Sequence, residues 1–501
     1  MAYSSEGTGK PSRTGTTDNV AREPTVAREI ESKYDIAPDF IMPDLSRFAH
    51  GITTDTVNLS STYYDTEEHD LLRYRLTLRQ RAGDADTGWQ LKIPGRGERT
   101  ELHWPPGDEP PSELRALLGP FVRDEPLEPS VRLDVTRVRY RLHTPDDELI
   151  AEIAHDDVRA VNLDAEVRAP RWHEAEIELG PAGSHAVLAK VGAVLRKAGA
   201  RPSTSRSKLA RALVGIGNEG VGTPRTSAGA VLVDYIAQQC DALVAGHFAV
   251  QRDGDESIHD TRVASRRMRS TLRTFERCFD AEQAKAFEDE LKWYASVLGD
   301  VRDLEVLRER LAAAVADLPD NLVVGPVADH IDKHLADELS VARAELLATM
   351  AGERYAELLD QSTRWRDDPP FTAAAGRPAS TLHEAVDRIE KTLAKRLAKA
   401  TKKSSTDEQM HRARKAGKRV RYAAEAATKA GDPRADKIAK KIKQLQEILG
   451  EFQDSVVAAE LLRRLASDAS ERGEDSFTYG VLVAEERQRA SEARRRTRKQ
   501  T

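Results

Sequence analysis

Residues 72–81 read LRYRLTLRQR. Arg73, Arg75, Thr77, Arg79 and Arg81 occupy alternate positions, with Tyr74, Leu76 and Leu78 between them. Successive side chains of a β-strand point to opposite faces, so this spacing predicts one strand with a basic face and an apolar face. Working outward, TRVRYRL (136–142) sets Arg137, Arg139 and Arg141 against Val138, Tyr140 and Leu142. HEAEIEL (173–179) sets Glu174, Glu176 and Glu178 against Ala175, Ile177 and Leu179, and REIESK (28–33) aligns Glu29, Glu31 and Lys33. One such strand fits an ordinary half-exposed sheet with its polar face in water. Several together weaken that reading, because like charges repeated down a strand repel unless counter-charges lie opposite, and basic and acidic strands occur in comparable numbers. Turned inward around a closed barrel, they would place Arg and Lys beside carboxylates in one cavity. Guanidinium forks match phosphate oxygens and carboxylates hold hard cations such as Mg2+, so the pattern suits a polyphosphate accompanied by divalent metal.

The chain has 501 residues, enough for two or three domains that fold without staples. Cys240 and Cys278 are its two cysteines, which excludes a disulfide framework or a paired-cysteine metal site and fits a reducing compartment. No signal-peptide core opens the sequence, and no apolar run approaches the roughly 20 residues that span a bilayer, so a soluble, cytoplasmic protein without membrane partners is expected. Net charge is −6 while charged residues make up 32% of the chain, so charge is abundant but locally sorted. The acidic balance argues against indiscriminate polyanion binding, while local Arg and Lys clusters still build anion sites.

Composition divides the chain. Residues 1–26 are rich in Ser, Thr and Gly and are expected to be a disordered tail. Residues 27–212 carry the alternating strands, broken by turn signals such as TPDD (144–147). A Gly-rich linker is expected over 213–229, followed by helical periodicity over 230–470 in two parts, about 230–365 and 380–470, and a C-terminal helix with a basic tail over 471–501. The expected architecture is therefore multidomain, an N-terminal antiparallel β-barrel or tunnel with helices and a C-terminal all-α, duplicated helical bundle.

The duplication is visible in HDTRVASRRMRS (259–270) and HRARKAGKRVRY (411–422). Aligning His259 with His411 pairs Arg262 with Arg414, Arg266 with Lys418, Arg267 with Arg419 and Arg269 with Arg421. At about 100° per residue, offsets 0, 3, 7 and 10 lie in one narrow stripe of a helix and offset 8 points aside. The echo continues from LKWYASVLGDVRD (291–303) to IKQLQEILGEFQD (442–454), pairing Lys292 with Lys443 and Asp303 with Asp454. The second copy has Gln453 where the first has Arg302, and Lys415 where the first has Val263. Crowded cations destabilise an isolated helix, so two such stripes call for a bound anion or neighbouring acids. Two units face to face would bring both stripes to a common groove.

The motifs of the first half, in order, are the Glu29-x-Glu31-x-Lys33 run, YYDT (63–66), LRQR (78–81), WQLK (89–92) and the acidic alternation of 174–178. This set resembles the CYTH superfamily of triphosphate-tunnel proteins, which includes class IV adenylyl cyclases, thiamine triphosphatases and inorganic triphosphatases. The resemblance implies that Arg79, Arg81, Lys92, Arg139, Arg141 and Lys208 bind phosphate. It implies that Glu29, Glu31, Glu152, Asp156, Glu174, Glu176 and Glu178 hold Mg2+ or Mn2+, and that Lys33 positions or activates the attacking water. The second half resembles the CHAD domain, a helical duplication associated with inorganic polyphosphate. That resemblance implies a polyphosphate site at His259, Arg262, Arg266, Arg267, Arg269, Lys292, His411, Arg414, Lys418, Arg419, Arg421 and Lys443, and points to cytoplasmic polyphosphate granules as a destination.

The leading expectation is a metal-dependent phosphohydrolase acting on inorganic triphosphate or a related short polyphosphate, with the helical half gripping longer polyphosphate. The alternatives are a class IV-type adenylyl cyclase and a non-catalytic polyphosphate-binding or granule-targeting protein. Nucleic-acid binding ranks last, because aromatic stacking platforms are scarce on the basic helices.

Overall fold

The computed structural model of the chain describes residues 24–84, 86–95, 99–163, 171–205, 207–213, 226–252, 257–431 and 433–500. The first 23 residues and most of the Gly-rich linker, 214–225, lie outside the described residues.

The N-terminal half opens with β1 (Thr25–Glu29), β2 (Glu31–Ile36) and β3 (Gly51–Asp65), then a single-turn helix α1 (Asp70–Arg73). It continues through β4 (Thr77–Ala82), β5 (Gly88–Ile93), β6 (Arg99–Trp104), α2 (Ser112–Val122), β7 (Glu128–His143), β8 (Leu149–Asn162) and β9 (Arg171–Leu179). It ends with α3 (His185–Lys197), β10 (Arg201–Pro202) and α4 (Lys208–Ala212). All pairings are antiparallel, in the order β1-β6-β5-β4-β3-β7-β8-β9-β2-β10. The hydrogen-bonded ladder does not close on itself, since β1 and β10 are its ends. The tunnel forms because β1 and β2 follow each other with only Ile30 between them, while β1 pairs with β6 and β2 with β9.

Paired residues of antiparallel strands share a face, so the registers carry one inner face from strand to strand. Lys33 lies opposite Glu176, Arg139 opposite Asp55, Arg141 opposite Glu152, and Asp156 opposite Glu174. Toward one end the same face turns apolar, with Leu59, Tyr63, Val131, Leu133, Val158 and Trp172 packed on Leu209 and Leu213 of the α4 segment. α4 thus closes that end, and its N-cap Ser207 fixes the turn from which Lys208 enters. The outer face of β2, β8 and β9 packs under α3 through Ile153, Ile177, Val191 and Leu195.

The helical half comprises α5 (Ala228–Gln251), α6 (Ser257–Thr274), α7 (Ala281–Ala316), α8 (Val327–Met350) and α9 (Glu353–Asp367), then α10 (Leu382–Ala400), α11 (Asp407–Thr428), α12 (Pro433–Glu471) and α13 (Phe477–Lys499). Ser227 caps α5, so helix begins inside the segment expected to be linker, and a Thr406–Gln409 capping box opens α11. No helix of the described residues is long and apolar enough to cross a membrane.

The stretch 72–81 departs from its expected single strand. The Asp65 carboxylate accepts from the backbone N–H of Thr66 (2.8 Å), Leu71 (2.8 Å) and Leu72 (3.0 Å), which winds residues 66–73 into a capped turn. Arg75 then adopts φ 61°, and the strand starts only at Thr77. Arg73 and Arg75 therefore leave the tunnel face and bind the helical half: Arg73 reaches Asp360 (3.0 Å) and Arg75 reaches Asp241 (2.7 Å). Tyr74 and Arg123 also donate to Asp360. Around these bonds Phe121 stacks on Phe248 (centroids 5.3 Å apart), and the core under β4–β6 runs without a break into α5 and α9.

Candidate functional site: a paired-charge tunnel and a cationic groove

Every cation expected in the tunnel meets a carboxylate of the tunnel wall or its rim. Lys33 Nζ lies 2.9 Å from Glu176 and 3.5 Å from Glu31. Lys92 Nζ binds Glu29 (2.8 Å) and lies 3.6 Å from Glu101. Arg79 donates to Gln90 (2.6 Å), Glu101 (3.3 Å) and the Tyr63 hydroxyl (3.4 Å), and Arg81 pairs with Asp86. Arg139 holds Asp55 (2.6 Å) and Asp84, while Arg141 holds Glu152 (2.9 Å).

The densest charge lies beside the apolar plug. Lys208 Nζ sits 2.6 Å from Glu174, 2.8 Å from Glu176 and 3.1 Å from Asp156. Arg137 grips Asp156 through two donors (2.8 and 2.7 Å) and Glu176 through one (2.8 Å). Asp156, Glu174 and Glu176 can each turn one oxygen to within 4.8 Å of the others, so this triad has the donor chemistry to hold a hard divalent cation. Of the seven acids expected to bind metal, these three converge. Glu29, Glu31 and Glu152 instead pair with Lys92, Arg99 and Arg141 respectively. Glu178 keeps contact with solvent.

Electrostatics follow from this packing. Burial pushes Asp156 and Glu176 up, but Arg137 and Lys208 outweigh it and Lys33 adds to the effect on Glu176, so both carboxyls lie below their usual range. Burial pulls Lys208 down, yet its three carboxylates win and hold it above the ordinary lysine value. Burial with the neighbouring Glu101 holds Glu29 above its usual value in spite of Lys92.

Arg137, Glu101, Asp55 and Tyr63 also belong to this interior and were absent from the expected site. Arg137 shared the period-two face with Arg139 and Arg141, which was its signal. Glu101 lies opposite Lys92 across β5 and β6, a pairing that only the register reveals.

In the helical half, both basic stripes line a single groove of about 1890 Å3, between α6, α7, α10, α11 and α12. All twelve residues expected to bind polyphosphate are in its wall. Arg262 pairs with Asp303 (2.6 Å) and its guanidinium lies close over Gly299, where a Cβ would meet it at 3.0 Å. Arg267, at the offset that points aside, binds Glu425 (2.9 Å) and lies over the Tyr422 ring. Gln453, the departure in the second repeat, bonds His411 Nδ1 at 2.9 Å. Among the described residues, Arg266, Arg414, Lys418 and Arg419 have no carboxylate within ion-pair distance, and the buried Nε atoms of Arg266, Arg269 and Arg414 have no hydrogen-bond partner.

A sheet folded into a tunnel of opposed charges, joined to a duplicated helical bundle with a cationic groove, defines a two-domain protein of the triphosphate-tunnel class. The chain belongs to the CYTH and CHAD families: the CYTH domain matches residues 27–212 and the CHAD domain residues 234–463. Uncharacterised proteins of two Mycobacterium tuberculosis strains, CDC 1551 and H37Rv, are each 32% identical to it over 95% of this chain and 96% of theirs. Among solved structures, PptA from Streptomyces chartreusis aligns with 55% of this chain and 99% of its own at 22% identity and a TM-score of 0.47. The CHAD domain from the plant Ricinus communis aligns with 54% of this chain and 89% of its own, at 24% identity and a TM-score of 0.43. A Hippeastrum protein, a candidate adenylyl cyclase that reveals a dominant triphosphatase activity, aligns with 36% of this chain and 93% of its own at 18% identity and a TM-score of 0.26.

Proposed function

We propose that the tunnel hydrolyses inorganic triphosphate or a related short polyphosphate with Mg2+ or Mn2+, and that the helical groove binds longer polyphosphate. The observation that carries the first part is that every expected tunnel cation is paired with acids of the tunnel wall or its rim. An empty tunnel is internally neutralised, so a triphosphate entering alone would compete with carboxylates for each guanidinium and leave those carboxylates unpaired, at high cost in a buried site. Substrate and divalent cation entering together exchange partners instead: phosphate oxygens take Arg79, Arg81, Lys92, Arg139 and Arg141, and freed carboxylates take the metal. Asp156, Glu174 and Glu176 are the residues that would hold it, with Glu29, Glu31, Glu152 and Glu178 as further ligands. When bound, the cation supplies charge neutralisation and polarises the transferred phosphoryl group.

Phosphoryl transfer through a loose transition state asks the protein for positioning and charge stabilisation more than for covalent chemistry. Arg137 and Lys208 fix the acidic triad, and Lys33, between Glu31 and Glu176, orients the attacking water. Apolar Leu209 and Leu213 exclude bulk water from the plugged end, which strengthens each charge interaction inside. The groove reading rests on the unpaired Arg266, Arg414, Lys418 and Arg419, since crowded cations without counter-ions fit an extended polyanion.

The deciding experiment is phosphate release from inorganic triphosphate by the full chain, with and without Mg2+ or Mn2+, beside ATP. Metal-dependent release that favours triphosphate is expected. Cyclic AMP from ATP, or no turnover by a protein that still binds polyphosphate, would overturn the hydrolase reading.

A further inference from the structure

Lys418 stands apart among the groove cations. It lines the groove from α11 with Arg414 on its own helix and with Arg262 and Arg266 on α6, whose charges act on it. The acids that face it are few and compromised. Asp303 on α7 is already engaged by two nitrogens of Arg262, at 2.6 and 3.3 Å. Asp454 on α12 is itself held above the usual carboxylate range by burial. From α10 the charged group is Arg396, which acts on Arg419, and from α5 Tyr235 meets Glu425 on α11. His259 and His411 lie in the same wall. Lys418 thus shares the groove with three arginines, and among the described residues no carboxylate lies within ion-pair distance of it.

A guanidinium does not give up its proton in a protein, whereas an amine does. In a cluster of one lysine and three arginines the lysine is therefore the group that yields. Burial, and then the charges of Arg266 and Arg414, push the Lys418 ammonium down to about 6. A polyanion laid in the groove reverses the field that expelled the proton.

We infer that polyphosphate binding to the helical groove takes up a proton at Lys418, so that affinity for the polyanion depends on pH. This rests on the groove reading above and adds its regulation. The sign follows from linkage: where binding takes up one proton, affinity falls about tenfold for each unit of rising pH. The window runs upward from about 6, where the free amine has lost its proton, toward the ordinary lysine value of the bound form. Below that window the amine is already charged and the dependence fades.

The test is calorimetric titration of the full-length protein with long-chain inorganic polyphosphate at about pH 8.5, in two buffers of different ionisation enthalpy. The difference in heat between buffers gives the protons taken up. The wild type is expected to take up about one proton per occupied groove and to weaken about tenfold per pH unit. Lys418→Arg, charged throughout, and Lys418→Met, never charged, should both bind without that uptake and with little pH dependence. Binding by the wild type with no proton uptake, or equal uptake in all three proteins, would overturn the inference and leave the groove reading standing. No binding by a folded wild type would overturn both.

Discussion

At the scale of single residues, Lys208 decides the state of the tunnel. It is an ammonium held among three carboxylates, in the place where a divalent cation would find its donors. Removing one partner from a buried charge cluster leaves the others uncompensated, which costs about 3–5 kcal/mol. Lys208→Met is therefore expected to lower unfolding free energy by about that amount in urea titration. The measurement gains meaning when repeated with Mg2+ or Mn2+. Because the triad would accept either cation, added metal should raise the stability of the variant more than that of the wild type, whose lysine already occupies the acids. Equal response of the two proteins would remove Asp156, Glu174 and Glu176 from the metal site. On the catalytic side, Glu176→Ala is expected to reduce metal-dependent phosphate release by at least a hundredfold, about 2.7 kcal/mol of transition-state stabilisation. Unchanged turnover would count against the same assignment.

At the scale of elements, two features separate what strand periodicity specifies from what it does not. Asp65 converts the sequence after β3 into a turn by accepting three backbone N–H groups, although burial raises its carboxyl to about 6. Hydrogen bonds to a charged acceptor contribute about 1.5–3 kcal/mol each, and the burial that raises the Asp65 carboxyl offsets part of this, so Asp65→Ala should cost about 2–3 kcal/mol and expose residues 66–75 to proteolysis. Resistance of the variant to cleavage there would show that other contacts hold the turn. The alternation of arginines across 72–81 predicted a strand because period two is a local signal, and nothing local says that Asp65 will take the N–H groups of Leu71 and Leu72. The inward faces of β7 and β9 were legible, since Arg137, Arg139, Arg141 and Glu174, Glu176, Glu178 alternate with apolar residues; the acids of β8 came only from the family resemblance. Glu101 and Asp55 were not, because their partners come from register rather than from spacing. The repeated helices were readable in part: Arg266 and Lys418 at offset 7 line the groove, while at offset 8 Arg267 binds Glu425 but Arg419 stays in the groove wall without an ion pair. Charge reversal therefore separates them. Arg266→Glu should weaken binding of long-chain polyphosphate about tenfold or more, near 1.4 kcal/mol. Arg267→Glu would set like charges at Glu425, so its larger effect should be on thermal stability. Interchanged outcomes in a binding and melting series would refute the stripe geometry.

At the scale of the whole molecule, the two halves share one apolar core rather than a flexible hinge. Leu78, Trp89 and Leu91 of the strands, with Leu76 just before β4, are continuous with Ile236, Leu243 and Phe248 of α5. Phe121 of α2 stacks on Phe248 and meets the His247 ring edge-on, 5.0 Å between centroids. His247 is wholly buried in this joint, donates from Nε2 to the Leu117 carbonyl at 3.0 Å, and leaves Nδ1 without a partner. A proton on Nδ1 would be a buried, unpaired charge, and burial accordingly pulls the imidazole down to about 4 from an ordinary 6.5. The folded pKa is depressed, so the unfolded chain binds the proton more tightly. The stabilisation is complete above about 6.5 and is lost as pH falls toward 4. Its full size is about 3 kcal/mol, from the value of each pKa unit. Unfolding free energy of the wild type should therefore fall across this interval by about 3 kcal/mol more than that of His247→Gln, which keeps a donor for Leu117 but has no ring to protonate. Because the core is shared, both halves should unfold in one transition at neutral pH, followed by near-ultraviolet signals from Trp89 in the sheet and Trp293 in α7. Parallel pH profiles for wild type and variant would exclude His247 as the acid-sensitive group, and separated transitions at neutral pH would show that the joint is weaker than its packing implies.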